Sequence, residues 1–312
     1  AIFGGDGRQV MNGVTAGGPG LVAVGYDGPE GEERAAVWTS PDGVTWSRVP
    51  HDEAVFGGEG PVLMNGVTSG GPGLVAVGSA GPMTPQEAVA AVWTSPDGLT
   101  WSRVPYDEAI FGGRGNLFMN GVAAGGPGLV AVGGTHSWQR GDPAPVWTSL
   151  DGITWSRVPD DGAVFDGVVP QEITSVAVDG PGLVAVGGPS STGDQDVAAV
   201  WTSPDGIIWS RVPHTKAVFG GEGPTFMNSV TLAGEAEFVA VGGALGPIGA
   251  TAAVWASPDG LTWSRVMPDD EAVFGGGVMN SLTAGGPGLV AVGYVAGVDR
   301  FPDAAVWVAA RE

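Results

Sequence analysis

The sequence predicts an all-β fold, a six-bladed β-propeller with four-stranded antiparallel blades, the last blade lacking its outer strand. Three observations predict it. The stretch at residues 36–50, AVWTSPDGVTWSRVP, recurs with small changes at 91–105, 145–159, 199–213 and 253–266, and truncated at 305–307. A second stretch at 11–25, MNGVTAGGPGLVAVG, recurs too. Its last valine falls at Val24, Val77, Val132, Val186, Val241 and Val292, at spacings of 53, 55, 54, 55 and 51. Third, the central strands of each unit are apolar on both faces instead of alternating, which suits a small sheet covered on each side by a neighbour. Six units of local hairpins at this period are the pattern of a propeller. A single domain over residues 1–312 is expected, with blades near 1–50, 51–105, 106–159, 160–213, 214–268 and 269–312.

Within a unit the strands are expected in the order A (around Val14), B (21–25), C (35–39) and D (45–49). Between A and B, Gly18-Pro19-Gly20-Leu21 suits a type II turn with Pro19 and Gly20 as its central pair. Between C and D, Ser40-Pro41-Asp42-Gly43 suits a type I turn: proline pre-sets φ, and glycine supplies the positive φ that follows. Trp38 and Trp46 flank that turn in runs that favour strands. Eleven of the 12 tryptophans hold the C or D register. Each buries about 150–250 Å², about 4–6 kcal/mol gross, so their repetition reads as a core between blades.

Ser-x-Asp-Gly-x-Thr-Trp resembles the Asp-box turn of sialidase-type and related β-propellers. The copies are Ser40/Asp42/Gly43/Thr45/Trp46, Ser95/Asp97/Gly98/Thr100/Trp101, Ser149/Asp151/Gly152/Thr154/Trp155, Ser203/Asp205/Gly206/Trp209 and Ser257/Asp259/Gly260/Thr262/Trp263. There is one residue fewer than usual between Asp and Trp; Leu150 replaces the proline of the third copy, and Ile208 the threonine of the fourth. In that family the box is a folding device, so the resemblance implies the fold and no chemistry.

Composition narrows the partners. Against 33 acidic residues stand 12 basic ones, a net charge of −21. That argues against nucleic acid and anionic membranes, since phosphate binding needs a basic face. There are no cysteines, which excludes disulfides, thiolate metal sites and cysteine nucleophiles. No apolar run approaches the roughly 18 residues of a membrane span. The chain starts at Ala1 without a methionine, and an exported, extracellular protein is expected.

The A–B and C–D turns are nearly constant. The B–C loops at 26–34, 79–89, 134–144, 188–197, 243–251 and 294–303 all differ. One face of the propeller is therefore uniform and the other individual, and binding chemistry belongs on variable loops over a rigid scaffold. The first candidate site is a ring of Asn12, Asn65, Asn120, Thr174, Asn228 and Asn280 at the starts of strands A. These side chains are expected to hold water, a cation or a small polar ligand, or to cap local backbone at a strand start. The second is the blade-three loop with His136, Trp138 and Arg140, a stacking plane beside polar groups that suits a sugar or peptide.

A sialidase-like active site needs converging arginines. Arg48, Arg103, Arg157, Arg211 and Arg265 lie on outer strands. Arg8, Arg34, Arg114, Arg140 and Arg300 lie in loops, with Tyr26 and Tyr294 near Arg34 and Arg300. No arginine is expected at the start of a strand A. The acidic D–A loops (Asp52/Glu53, Asp107/Glu108, Asp160/Asp161, Asp269/Asp270/Glu271) offer oxygens to calcium but no EF-hand spacing, and no cofactor or metal site is expected. The three histidines lie in separate units and make no metal or triad motif.

The sixth unit ends without a Trp-Ser-Arg-Val strand. The missing strand is expected just upstream of Ala1; without it, strand C of blade six is an open edge for a strand partner. The expected function is non-catalytic binding of a protein or glycan through the variable face. The alternatives are a sialidase-like glycoside hydrolase and a structural component joined through the open edge.

Overall fold

The computed structural model describes residues 7–82, 88–113, 115–136, 144–159, 164–165, 171–179, 182–189, 197–221, 223–234, 237–247, 249–266, 275–285, 288–296 and 302–310. The fold is a six-bladed β-propeller of antiparallel sheets, five with four strands and the last with three. The chain forms two compact units, Ala1–Asp161 and Gly162–Glu312.

The first unit holds three blades. Blade one is β1 (Arg8–Gly17), β2 (Gly20–Gly28), β3 (Arg34–Ser40) and β4 (Ser47–Arg48). A helical turn, α1 (Glu53–Phe56), leads to blade two, β5 (Val62–Gly70), β6 (Gly73–Ala80), β7 (Val89–Ser95) and β8 (Ser102–Arg103). A second, α2 (Glu108–Phe111), leads to blade three, β9 (Asn116–Gly125), β10 (Gly128–His136), β11 (Val146–Ser149) and β12 (Trp155–Arg157).

The second unit repeats the plan. Blade four is β13 (Gln171–Asp179), β14 (Gly182–Pro189), β15 (Ala199–Ser203) and β16 (Ser210–Arg211). After α3 (Lys216–Phe219) comes blade five, β17 (Thr225–Ala233), β18 (Glu237–Gly246), β19 (Gly249–Ser257) and β20 (Ser264–Val266). Blade six is β21 (Gly277–Gly285), β22 (Gly288–Val295) and β23 (Asp303–Ala310). The one-turn helices were not expected. Asp52 and Asp107 start two of them by accepting the Ala54 and Ala109 N–H groups.

At three blade boundaries a valine face packs on a tryptophan–methionine face. In the first unit Val22, Val24 and Val37 pack on Met64, Trp93 and Trp101, and Val75, Val77 and Val92 on Met119, Trp147 and Trp155. In the second, Val184, Val186 and Val200 pack on Met227, Trp255 and Trp263. The strand C tryptophans Trp38, Trp93, Trp147, Trp201 and Trp255 are all 0 % exposed, as a core between blades requires.

Two turns settle differently from expectation. Gly17 pairs with Gly20, so the A–B hairpin has Gly18-Pro19 as its central pair, not Pro19-Gly20. Gly18 has φ +54°, the positive first central position of a type II′ hairpin, whose twist matches the strands it joins. Strand D is only two or three residues long, because the turn before it runs through Trp46. Asp42 Oδ1 accepts the Val44 and Thr45 N–H groups at 2.8 and 2.6 Å, Gly43 N–H donates to Ser40 Oγ, and Trp46 Nε1 donates to the Gly43 carbonyl. The aspartate pattern and the indole bond recur in all five turns.

Candidate active site

The Asn positions share one backbone device. In β1 the register slips between Met11 and Gly13, so Asn12 is the extra residue of a β-bulge. The same slip isolates Asn65, Asn120, Thr174, Asn228 and Asn280. A bulge re-aims its side chain, and at four of these positions it aims at the next blade. Asn12 Nδ2 donates to the Met64 carbonyl and Asn65 Nδ2 to that of Met119, both at 2.9 Å. In the second unit Thr174 Oγ1 donates to the Met227 carbonyl at 2.7 Å and Asn228 Nδ2 to that of Met279 at 2.9 Å. These acceptors are some 50 residues away; Thr174 Oγ1 also lies 3.0 Å from the Val186 carbonyl of its own blade.

Of the blade-three loop, His136 is the last residue of β10; Trp138 and Arg140 lie outside the described residues, as do Arg114 and Arg300. Among the described residues no three His, Asp or Glu side chains cluster as metal ligands. The strand D arginines stack on the indole one strand inward: Arg48 on Trp38 at 4.8 Å, and Arg103, Arg157, Arg211 and Arg265 on their own tryptophans at 5.5–5.9 Å. Nor are the paired acidic residues a shared site. Glu53 is bonded to His51 Nε2 at 2.9 Å, and that bond holds its carboxyl below its ordinary range. Glu108 takes the Tyr106 hydroxyl; burial and this bond push the phenol up to about 12.

Chemistry-bearing groups do meet on blade one. A cavity of about 400 Å³ is lined by Arg8, Gln9, Asp27, Glu32 and Arg34, with the backbone of Gly7, Gly28 and Pro29. Arg8, expected in a loop, is the first residue of β1 and stands opposite Gly28. Asp27, paired with Arg34 across β2 and β3, is ion-paired with Arg48 at 2.5 Å. Arg34 Nη1 donates to the carbonyls of Glu32, Glu33 and Gly60 at 3.0–3.2 Å, which ties the loop to the start of blade two. Buried Glu33 turns inward and accepts the Gly31 N–H at 2.9 Å. Gln9 Oε1 is buried and has no hydrogen-bond donor among the described residues.

Two carboxylates, two guanidinium groups and an unused amide acceptor thus share one wall. Such a set can bind hydroxyl groups and move protons on an acetal. Sequence reasoning singled out Tyr26 and Arg34 here but passed over the carboxylates. The signal was present: Asp27, Glu30, Glu32 and Glu33 crowd one nine-residue loop. A second cavity of about 320 Å³ surrounds Leu150 and Asp151 on the third Asp-box turn, where the Asp151 carboxylate is already committed to that turn.

No protein-family model matches the sequence, and no curated protein matches it significantly. Solved structures do match its fold. An α-L-arabinofuranosidase from Fusarium graminearum, solved with an iminosugar inhibitor, is 15% identical with a TM-score of 0.59, covering 96% of this chain and 93% of its own. An α-L-arabinanase from Penicillium chrysogenum, complexed with arabinobiose, is 14% identical with a TM-score of 0.59, covering 95% and 92%. A sialidase from Trypanosoma rangeli, in complex with sialic acid, is 12% identical with a TM-score of 0.51, and the match spans about half of it, 54%. The expectation of a non-catalytic binding module is contradicted by these three fold neighbours, each a glycoside hydrolase. No helix among the described residues is long and apolar enough to cross a membrane.

Proposed function

We propose that this chain is an extracellular glycoside hydrolase working from the blade-one cavity. The observation that supports it is the pairing of Asp27 and Glu32 with Arg8 and Arg34 in one cavity, on a propeller scaffold. Glycosidic cleavage needs one carboxyl group to protonate the leaving oxygen and a second to attack or to activate water. Asp27, ion-paired with Arg48, takes the second role. Glu32 is the acid. Arg8 and Arg34 donate to ring and hydroxyl oxygens, with the buried Gln9 amide behind the cavity wall. The net charge of −21 disfavours anionic glycans, so a neutral substrate such as an α-L-arabinofuranoside is the first choice over a sialoside.

Chromogenic glycosides of both kinds test this. Turnover of the arabinofuranoside is expected, with Asp27→Asn and Glu32→Gln each lowering kcat about 100-fold or more while the melting temperature holds. Absence of turnover across the panel, or wild-type turnover in both variants, overturns it.

A further inference from the structure

The strand D arginine settles on a different acceptor from blade to blade. In blades two and five, Arg103 and Arg265 donate from Nη1 to the Gly57 and Gly220 carbonyls at 3.4 and 2.9 Å. In blade four, Arg211 Nη2 donates to Gln171 Oε1 at 3.4 Å. In blade one, Arg48 Nη1 goes to Asp27 Oδ2 at 2.5 Å. Each of these guanidinium groups lies over the indole of its own blade. The stack fixes the side chain, and its remaining N–H groups take the acceptor that the blade offers.

Blades one and four differ in one informative place. Gln9 and Gln171 each stand three residues before the bulge residue, Asn12 or Thr174. Across the hairpin Gln9 pairs with Asp27, and Gln171 pairs with Pro189. Both blades thus hold the same glutamine within one strand of the position that decides the contact. Where that position is proline, the arginine bonds the glutamine. Where it is aspartate, the carboxylate takes the arginine, because a bond between two charged groups is stronger than one to a neutral amide. The consequence is visible in blade one. Gln9 Oε1 and Arg48 Nε are both buried and have no hydrogen-bond partner among the described residues.

We propose that Arg48 is a positioning residue of the blade-one site with two seats. Stacked on Trp38, it holds Asp27 through Oδ2 and leaves Oδ1 for the reaction. When residue 27 carries no charge, Arg48 moves to Gln9 Oε1, the seat that Arg211 takes in blade four. The positioning role rests on the hydrolase reading; the two seats do not. The device fixes the direction of the Asp27 carboxylate from outside the cavity, since Arg48 is not among the residues that line it. It also gives the guanidinium a partner in either state, so its charge is never left buried and unmatched.

The test is a double-mutant cycle in the intact chain, read by urea unfolding. Asp27→Ala removes the carboxylate, and the fold accepts alanine there, since Ala80 and Ala244 hold the same place in blades two and five. Gln9→Leu alone should not lower the folding equilibrium constant, because Oε1 has no donor to lose. In the Asp27→Ala background the same change should lower it about ten-fold or more, the loss of a bond to a charged group. A crystal structure of Asp27→Ala should show the guanidinium within hydrogen-bond distance of Gln9 Oε1. Equal effects of Gln9→Leu in the two backgrounds, or a guanidinium bonded elsewhere in that crystal, overturn the second seat. On a glycoside that the wild type cleaves, Arg48→Ala should lower kcat about ten-fold at unchanged KM, and Arg48→Lys should recover part. Wild-type kcat in Arg48→Ala overturns the positioning role. Absence of turnover in the wild type itself falls on the hydrolase reading, and the cycle still decides between one seat and two.

Discussion

Asn65 reaches across a blade boundary to Met119: its Nδ2 donates to the methionine carbonyl at 2.9 Å, from a bulge that leaves the asparagine unpaired in its own sheet. A part-buried carbonyl is thereby satisfied and two sheets are pinned at the same height. Asn65→Ala removes the donor and leaves the acceptor unmet, a cost of about 1–3 kcal/mol. Urea unfolding followed by tryptophan fluorescence should show it. Unchanged stability would leave the amide free for a ligand role.

Gly78 faces that bulge from β6. A Cβ there would stand 1.9 Å from the Leu63 carbonyl oxygen, and the equivalent glycines Gly25, Gly133, Gly187, Gly242 and Gly293 meet the same obstruction at 1.9–2.0 Å. The barrier is backbone, so it cannot swing away. Gly78→Ala should cost more than about 4 kcal/mol, read as loss of the cooperative melt or of soluble protein. A fully folded variant would mean that the bulge can be absorbed.

Asp-box carboxylates make stability acid-sensitive. Backbone N–H groups of Thr154 and Ile153 hold Asp151 down to about 2, and Asp42, Asp97, Asp205 and Asp259 are lowered by the same kind of bonds. A folded value below the unfolded one, about 3.9, favours the fold when ionised. That contribution is complete above the unfolded value and is lost as pH falls through the folded value. The melting temperature should therefore be flat above about pH 5 and fall between about pH 4 and 2. Asp151→Asn should flatten part of that fall.

Arg103 lies over Trp93 at 5.5 Å with its charge partly desolvated, which lowers its pKa from the ordinary value. Arg103→Ala should destabilise by about 0.5–2 kcal/mol, and Arg103→Lys should recover only part, because an ammonium does not stack as a plane. Full recovery by the lysine variant would show that the planar stack contributes nothing beyond packing and charge.

Gln9 offers a test of the cavity that spares the proposed carboxyl pair. Gln9→Leu removes the buried acceptor. By reshaping the cavity wall it should raise KM for a cleaved glycoside about ten-fold and leave kcat nearly unchanged, the mark of an effect on binding. A matching loss in kcat would place Gln9 in the chemistry instead.

The sequence alone determined what is settled within a few residues of chain. The Asp-box turn closes through bonds spanning two or three positions, so Ser40, Asp42, Gly43 and Trp46 declared it, and Gly43 has the expected positive φ of +76°. Repetition of that turn with Val-Ala-Val-Gly carried the blade count, the strand order and the burial of nine of the eleven registered tryptophans. Tertiary structure decided what depends on partners far along the chain. That Asn65 serves the Met119 carbonyl follows from a bulge, and a bulge is a register slip visible only once β5 has paired with β6. That Asp27, Glu32, Arg8 and Arg34 share a cavity follows from β1 and β2 pairing, which brings Arg8 opposite Gly28. Local turn chemistry is written in neighbouring residues; a site built from separate strands exists only after the sheet has chosen its register.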